Sequence, residues 1–214
     1  MRSYSHLLFI ILCVFVCLLP TVGLATGPKW EPAGGEDGIK VWSLEIPGRD
    51  LPGFRGITTI RAQIDDIFGE MLNYDAHTEW MYQCKESRLL EQVADNRVFL
   101  YNRVNAPWPV KDRDVVVDIR HLFTPDHRAL TIRFRQTKKV TVPVPRWTVR
   151  MPRIDGFYRL WQGSAPGVTN VLYQVEVDIG GNVPDFLARR YARNLPFHTL
   201  DRLRERVEKK RTQQ

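Results

Sequence analysis

Cysteine is scarce in this chain of 214 residues, which contains only three. Cys13 and Cys17 lie in an apolar N-terminal run, so Cys84 is the only cysteine in the rest of the chain. This excludes an intramolecular disulfide framework once the N-terminal run is removed. The remainder, about 190 residues, is long enough to bury roughly 70% of its unfolded surface, so it can fold around a hydrophobic core without cross-links.

Motifs of the common catalytic and nucleotide-binding sites are also absent. The sequence contains no Gly-x-Ser-x-Gly elbow, no phosphate-binding glycine loop and no dinucleotide fingerprint. No two of its five histidines have the short spacing that metal sites favour, so we expect neither a metal nor a cofactor. The chain also lacks internal repeats and low-complexity tracts, which predicts one folded domain.

The apolar N-terminal run has the organisation of a secretory signal peptide. Arg2 precedes an uninterrupted apolar stretch over residues 7–19, and Gly23 and Ala25 supply the small residues expected at the −3 and −1 positions of a cleavage site. The sequence therefore predicts that residues 1–25 are a signal peptide and that the protein is periplasmic or secreted. An uncleaved membrane anchor formed by the same stretch is the alternative.

Composition divides the rest of the chain into three parts. A Gly- and Pro-rich lead-in covers residues 26–37, the domain covers residues 38–210, and residues 211–214 form a short tail. We expect this domain to be a monomer.

Strand patterns dominate the domain. Ile39–Ile46 and Arg55–Ala62 are bounded by Pro and Gly, which predicts a first hairpin. Six further strands are predicted over residues 87–93, 97–104, 114–123, 129–137, 154–162 and 168–179. Strands such as residues 168–179 alternate apolar and polar residues, which is typical of an antiparallel sheet covered on one face.

Helical spacing marks three other segments. A short helix capped by Asp65 is predicted through Leu72, and a helical turn covers Asp75–Trp80. A long helix opens at Pro184, with Pro196 as its one kink or break. The sheet and the long helix together predict an α+β helix-grip fold, in which a curved antiparallel sheet wraps around the C-terminal helix.

A tryptophan between two prolines distinguishes the segment NAPWPVKDRD, residues 105–114. The prolines restrict the backbone around Trp108 to extended conformations, so the ring is presented in one place before the next strand begins. Pro-Trp-Pro-x-x-x-Arg-Asp resembles the central signature of the START family of lipid-transfer domains. Residues 173–187 resemble the last strand, Gly-Gly turn and final helix of that family, and residues 75–80 resemble an earlier segment. The resemblance covers residues 30–210.

The resemblance implies a carrier that holds one hydrophobic molecule in an internal tunnel between the sheet and the C-terminal helix, rather than an enzyme. The chain departs from the best-known members in its signal peptide and in the loop Val140–Trp147, so no ligand identity is carried over. The alternative is an enzyme of the related polyketide cyclase/aromatase branch, acting on a polycyclic or lipid substrate. For that reaction His121 is a candidate general base, although a lone histidine on an apolar strand face also fits a core position.

Aromatic and polar side chains on the strands and the long helix are the candidates for ligand contact, since an apolar pocket with few polar groups suits a lipid. The same aromatic residues would also suit a filled core. The candidates are Trp80, Tyr101, Arg103, Trp108, His121, Phe123, Phe134, Phe157, Tyr173, Phe186, Tyr191 and Phe197.

Positive charge is concentrated at the C-terminus, where nine basic residues from Asp185 onward accompany four acidic ones. An exported protein rarely meets nucleic acid, so an anionic membrane surface is the expected partner and nucleic acid is not. A solvated helix face is the alternative. The predicted membrane contacts are Trp147, Arg189, Arg190 and Arg193.

Overall fold

A computed structural model of the chain describes residues 29–213. The predicted signal peptide, residues 1–25, lies outside these residues. Within the described range, no helix is both long and apolar enough to cross a bilayer. A short strand, β1 (Glu31–Gly34), occupies part of the predicted lead-in and pairs with the strand that follows it. The sheet therefore begins before residue 38.

One sheet contains all the strands of the described residues. The nine that follow β1 are β2 (Lys40–Leu44), β3 (Gly53–Ile60), β4 (Cys84–Ala94), β5 (Arg97–Val104), β6 (Asp112–Phe123), β7 (Ala129–Gln136), β8 (Thr148–Arg150), β9 (Arg153–Gln162) and β10 (Thr169–Asp178). The spatial order is β1-β2-β3-β10-β9-β7-β6-β5-β4, and neighbours in this order are antiparallel. The predicted antiparallel sheet is confirmed.

The exception is β8, which pairs in parallel with the first residues of β6, Asp112 opposite Thr148. It was not predicted from the sequence because three residues are too few to show an alternating pattern. Pairing with β6 returns the chain to the sheet after the long loop that follows β7.

Three helices pack on the concave face of this curved sheet. They are α1 (Ile64–Leu72), α2 (His77–Trp80), which follows a 3₁₀ turn at Tyr74–Ala76, and α3 (Asp185–Thr212). α1 is capped by Gln63 rather than by Asp65, and the Gln63 N–H donates to the carboxylate of Asp66 at 3.3 Å. The sheet and α3 confirm the predicted helix-grip fold.

α3 is continuous through Pro196, so the predicted break at that residue does not occur. Pro196 packs against β3 at Gly56, where an added Cβ would lie 3.1 Å from the proline Cβ and 2.9 Å from Leu200 Cδ1. Glycine at this position lets the helix approach the sheet closely. Beyond it, Leu200 and Leu203 are completely buried, which fixes the second half of α3 to the core.

An ionic cluster joins α1 to the same half of α3. The Glu70 carboxylate, on α1, is buried and accepts hydrogen bonds from Arg206 and Lys210 of α3. Arg206 also bonds Glu79 at the end of α2. The α1–α3 cluster thus holds three helices together at one end of the sheet.

Candidate functional site

An apolar cavity of about 70 Å³, the inner cavity, lies between the concave face of the sheet and the first two helices. Alternate residues of β5, β6, β7, β9 and β10 form one wall, because successive side chains of a strand point to opposite faces. Phe68, Met71 and Trp80 of α1 and α2 close the other side. Among the described residues that line it, none belongs to α3, so the first two helices form the wall that was expected from the C-terminal helix.

A second space, the outer cleft, has a volume of about 460 Å³ and opens beside the first turns of α3. Leu187, Arg190 and Tyr191 of α3 line it together with residues 104–107 of the segment that precedes β6. α3 therefore contributes to the outer cleft and the motif segment forms part of the same wall.

Tyrosine side chains lie between the two spaces. Tyr158 and Tyr173 line the inner cavity and stack with ring centroids 4.2 Å apart, while Tyr82 and Tyr191 line the outer cleft with centroids 5.8 Å apart. Tyr82 and Tyr191 pack against the core cluster that contains Tyr158 and Tyr173. Burial raises the pKa of Tyr191, and the interaction with Tyr173 raises it further. The four rings form the boundary that a ligand would cross between the cleft and the cavity.

Five of the predicted ligand contacts line these two spaces. Trp80, His121, Phe134 and Tyr173 line the inner cavity and Tyr191 lines the outer cleft. Contact with a ligand stays a prediction for each of them.

The other predicted contacts lie elsewhere. Tyr101 packs with Val142 in a separate apolar cluster, and Arg103 bonds Asp112. Phe157 lies under Arg133, whose guanidinium carbon is 5.5 Å from the ring centroid. These three residues occupy odd positions on strands whose even positions face the cavity, so alternation directs them to the convex face.

Phe123 and Phe197 are on the helix-covered side but not at the cavity. Phe123 contacts Phe68 edge-on at 5.5 Å, and Phe197 lies in a groove beside β1. Trp108 and Phe186 are 92% and 70% exposed. They belong to the two segments that line the outer cleft, so they lie at its rim, and their contact with a ligand stays a prediction.

Asn102 and Tyr158 line the inner cavity, but sequence reasoning missed both. Each stands one residue from a candidate that faces the other way, Arg103 and Phe157. Asn102 could have been identified from the sequence, because it is the one polar residue in the otherwise apolar series Val98, Leu100 and Val104. Phe157 and Tyr158 are both aromatic, so the pattern alone gives no choice between them.

The two histidines of the inner cavity differ in their bonding. His77 is buried, with Nε2–H donating to the Met71 carbonyl at 2.8 Å and Nδ1 3.4 Å from Ser87 Oγ, and burial lowers its pKa to about 4. His121 contacts Phe68 edge-on at 4.7 Å, and burial lowers its pKa also. Both imidazoles are therefore neutral near pH 7.

Cys84 is buried, and burial raises the pKa of its thiol to about 12. Almost none of it is thiolate at neutral pH, so this side chain is a packing residue. Within residues 29–213, no group of three His, Cys, Asp or Glu side chains is placed to hold a metal ion.

The two motifs noticed in the sequence meet at Arg113. Its buried guanidinium donates from Nε to the Ile179 carbonyl at 3.0 Å and from Nη2 to the Gly180 carbonyl at 2.8 Å. Gly180 and Gly181 have φ values of +59° and +70°, which glycine adopts without strain. The arginine of the Pro-Trp-Pro motif therefore fixes the Gly-Gly turn from which α3 starts.

Asp114, the last residue of the motif, is completely buried. Arg150 of β8 donates to it twice, at 2.8 and 2.9 Å, and the Tyr101 hydroxyl donates at 3.2 Å. The Tyr101 hydroxyl therefore helps to hold this buried carboxylate, and contact of Tyr101 with a ligand stays a prediction.

The arginines predicted to contact a membrane point in three directions. Arg189 bonds Glu45 at 3.3 Å, Arg190 lines the outer cleft, and Arg193 lines the groove beside β1. They do not form one basic face. Trp147 is 66% exposed, with Lys111 Nζ 5.7 Å from its ring centroid.

No family model matches the chain. An uncharacterised protein of Pseudomonas aeruginosa is 32% identical over 188 residues, which cover 88% of this chain and 91% of the relative. A solved structure of a STAR-related lipid transfer protein from Xanthomonas axonopodis is 31% identical, with a TM-score of 0.75, and the match covers 84% of this chain and 98% of that one. The chain belongs to the START family.

The START fold extends to more distant structures. Human STARD10 is 16% identical, with a TM-score of 0.74 over 86% of this chain and 75% of that one. Likeness at this level concerns the fold alone. The family resemblance drawn from the Pro-Trp-Pro and Gly-Gly motifs is confirmed by the Xanthomonas structure.

Proposed function

We propose that this START protein binds a lipid-like hydrophobic molecule and carries it outside the cytoplasm. The observation that carries the proposal is the apolar inner cavity, which lies behind a boundary of tyrosines at the end of a wider cleft. The Xanthomonas relative, 31% identical, is by name a lipid transfer protein. The proposal extends that property to this chain.

Energetics favour such a ligand. Each methylene removed from water contributes about 0.8 kcal/mol, so a sixteen-carbon chain gains roughly 12 kcal/mol, which is comparable to its gain in a bilayer. The inner cavity, at about 70 Å³, is well below the roughly 300–1,000 Å³ of typical ligand pockets. A ligand of that length must therefore occupy the outer cleft as well and move the tyrosines apart.

Export is proposed from residues 1–25, which have the features of a signal peptide. We expect the protein in the periplasm of a bacterial host to begin near Thr26. N-terminal sequencing tests this, and an intact Met1 in the membrane fraction would favour the anchor instead.

A membrane surface is the proposed site of ligand exchange. Trp108, Trp147 and Phe186 are exposed near the outer cleft, and Lys111 and Arg190 are exposed beside them. Aromatic rings insert into the interface of a bilayer, while each nearby cation contributes about 1 kcal/mol of attraction to anionic headgroups. These five side chains, the rim of the outer cleft, combine both properties.

The test of a carrier is a ligand that stays chemically unchanged. Protein purified from the periplasm would be analysed by native mass spectrometry, and we expect a lipid-sized mass to be bound in a defined ratio. When the wild type and His121→Ala are each incubated with a periplasmic extract, both should retain a ligand of the same mass. A new product that forms with the wild type and not with His121→Ala would contradict the carrier function and favour the cyclase.

A further inference from the structure

Three polar groups on the wall of the inner cavity make no hydrogen bond of normal geometry within the described chain, although the hydroxyl of one of them, Tyr158, lies beside the Tyr173 hydroxyl and interacts with it. They are the Trp80 indole N–H, the Asn102 amide oxygen and the Tyr158 hydroxyl, and the three residues are 1%, 7% and 6% exposed. More than nine in ten buried polar groups in proteins are paired, so three orphans around one small cavity require an explanation.

These groups come from three separate elements, α2, β5 and β9, and they converge on one cavity. Another polar side chain that lines the cavity does have hydrogen-bond partners. His77 has a partner at each ring nitrogen, Met71 O at 2.8 Å and Ser87 Oγ at 3.4 Å. The fold thus supplies hydrogen-bond partners for the His77 ring and leaves the three other polar groups available to a ligand.

The chemistry of the open groups is neutral. The indole only donates, the amide oxygen only accepts, and the phenol does either. No Asp, Glu, Lys or Arg is among the described residues that line the inner cavity. An ionised group placed there would lose its hydration without gaining a counter-ion.

We propose that the inner cavity selects a hydrophobic molecule that carries one compact, uncharged polar group, a hydroxyl or a carbonyl, bound against Trp80, Asn102 and Tyr158. This rests on the proposed function and names the class of its ligand. A hydroxyl fits best, because it accepts from the indole and donates to the amide oxygen. The volume of about 70 Å³ accommodates such a group with only a few carbons around it. The rest of the ligand then extends toward the outer cleft.

The experiment measures displacement of the neutral dye Nile red from delipidated protein at pH 8. The competitors share a ten-carbon chain: 1-decanol, decanoate and 1-bromodecane. We expect 1-decanol to displace the dye at about five- to tenfold lower concentration than either of the others, which is the effect of one buried hydrogen bond. Decahydro-2-naphthol serves as a fused-ring alcohol. If it displaces the dye more strongly than 1-decanol does, the proposed ligand has a ring skeleton. If it displaces the dye more weakly, the proposed ligand has an open chain.

Matched variants assign the effect to the cavity. Tyr158→Phe and Asn102→Leu should each reduce the preference for 1-decanol over 1-bromodecane to near one. They should also leave the melting temperature of the ligand-free protein unchanged or higher, because each removes an unpaired buried group. Tyr101→Phe is the control: its hydroxyl bonds Asp114 on the other face, so it should lower the melting temperature and preserve the preference.

Two results would overturn the proposal while leaving the carrier function intact. One is equal displacement by decanoate and 1-decanol. The other is an unchanged alcohol preference in both Tyr158→Phe and Asn102→Leu. Failure of Nile red and all competitors to bind would instead count against the proposed function.

Discussion

At the scale of single residues, a completely buried carboxylate connects the sequence motif to the architecture. Asp114 bonds Arg150 and Tyr101, and through Arg150 it holds β8 beside β6. A buried charge that loses its partner is costly, since neither water nor another ion replaces it. The conspicuous Arg-Asp of the motif thus acts on stability and on the position of the outer cleft.

We predict that Asp114→Asn lowers the free energy of unfolding by about 3 kcal/mol, because Arg150 is left without its carboxylate. Urea denaturation at pH 7 measures the change. Asp155→Asn is the matched control, since Asp155 and its partner Arg135 form an exposed strand pair at 3.1 Å and should change stability by less than about 1 kcal/mol. Equal losses in the two variants would contradict the assigned role of Asp114.

At the scale of elements, the two halves of α3 are held differently. The second half is fixed by Leu200, Leu203 and the α1–α3 cluster of Glu70, Arg206 and Lys210. The first half lines the outer cleft and carries the exposed Phe186. Pro196 separates them and lacks the N–H that would continue the helical hydrogen bonds. We expect the first half to move when a ligand enters.

Cross-linking tests this motion. We predict that a short bifunctional thiol reagent joining Glu45→Cys to Arg189→Cys blocks ligand exchange but retains a ligand already bound. The native pair lies 3.3 Å apart and is exposed, whereas Cys84 is buried and unreactive. Exchange is followed by transfer of the bound dye to vesicles.

The control cross-link is placed beyond Pro196, between Arg61→Cys and Glu208→Cys, another exposed pair at 3.1 Å. It should leave the exchange rate unchanged. If this cross-link also blocks exchange, or the first does not, then the moving part is not the first half of α3.

The α1–α3 cluster predicts how stability depends on pH. Burial alone would raise the pKa of Glu70, but hydrogen bonds from Lys210 and Arg206 overcome it and hold that pKa below its ordinary value. Because the folded pKa is the lower one, the cluster stabilises fully above the unfolded pKa and loses its effect as the pH falls through the folded pKa. The loss therefore begins near pH 4.5, the ordinary value for Glu.

We predict that Glu70→Gln destabilises the protein at pH 7 and reduces the loss of stability between pH 5 and pH 3. Urea midpoints across this range measure both effects. Glu79→Gln is the control, because Glu79 also bonds Arg206 but is 60% exposed. A wild type and a Glu70→Gln variant with parallel acid profiles would show that the cluster does not contribute.

At the scale of the whole molecule, exposed aromatic rings and cations surround one end of the sheet. Trp108 and Phe186 lie on the two segments that line the outer cleft, so a membrane bound there would meet the opening. Leu122 is 71% exposed but lies near the other end of β6, roughly 30 Å along the strand. Leu122 is therefore an exposed apolar side chain that does not adjoin the cleft.

We predict that Trp108→Ala with Phe186→Ala lowers binding to anionic vesicles at least tenfold in a sedimentation assay, because both rings leave the bilayer interface. Leu122→Ala should have no effect. Charge reversal at Lys111 and Arg190 should weaken binding to anionic vesicles more than to neutral ones, and added salt should weaken it also. Equal effects on both kinds of vesicle would remove the electrostatic part of the proposal.

The sequence by itself determined the order and kind of most elements. Alternation and Pro or Gly boundaries are local properties, so eight strands, the Pro-initiated helix and the two family motifs could all be predicted within a few residues. Local signals such as these need no knowledge of which strands become neighbours.

Only the tertiary structure decided the site. Whether Phe157 or Tyr158 faces the cavity depends on a register difference of one residue, which both aromatic side chains allow. The bonds of Arg113 to the Gly-Gly turn join positions that are 66 and 67 residues apart in the chain. The cavity volume is the small difference between the volume that the elements enclose and the volume of the side chains that fill it. Such properties arise from pairing and packing between distant segments, and a linear pattern does not contain them.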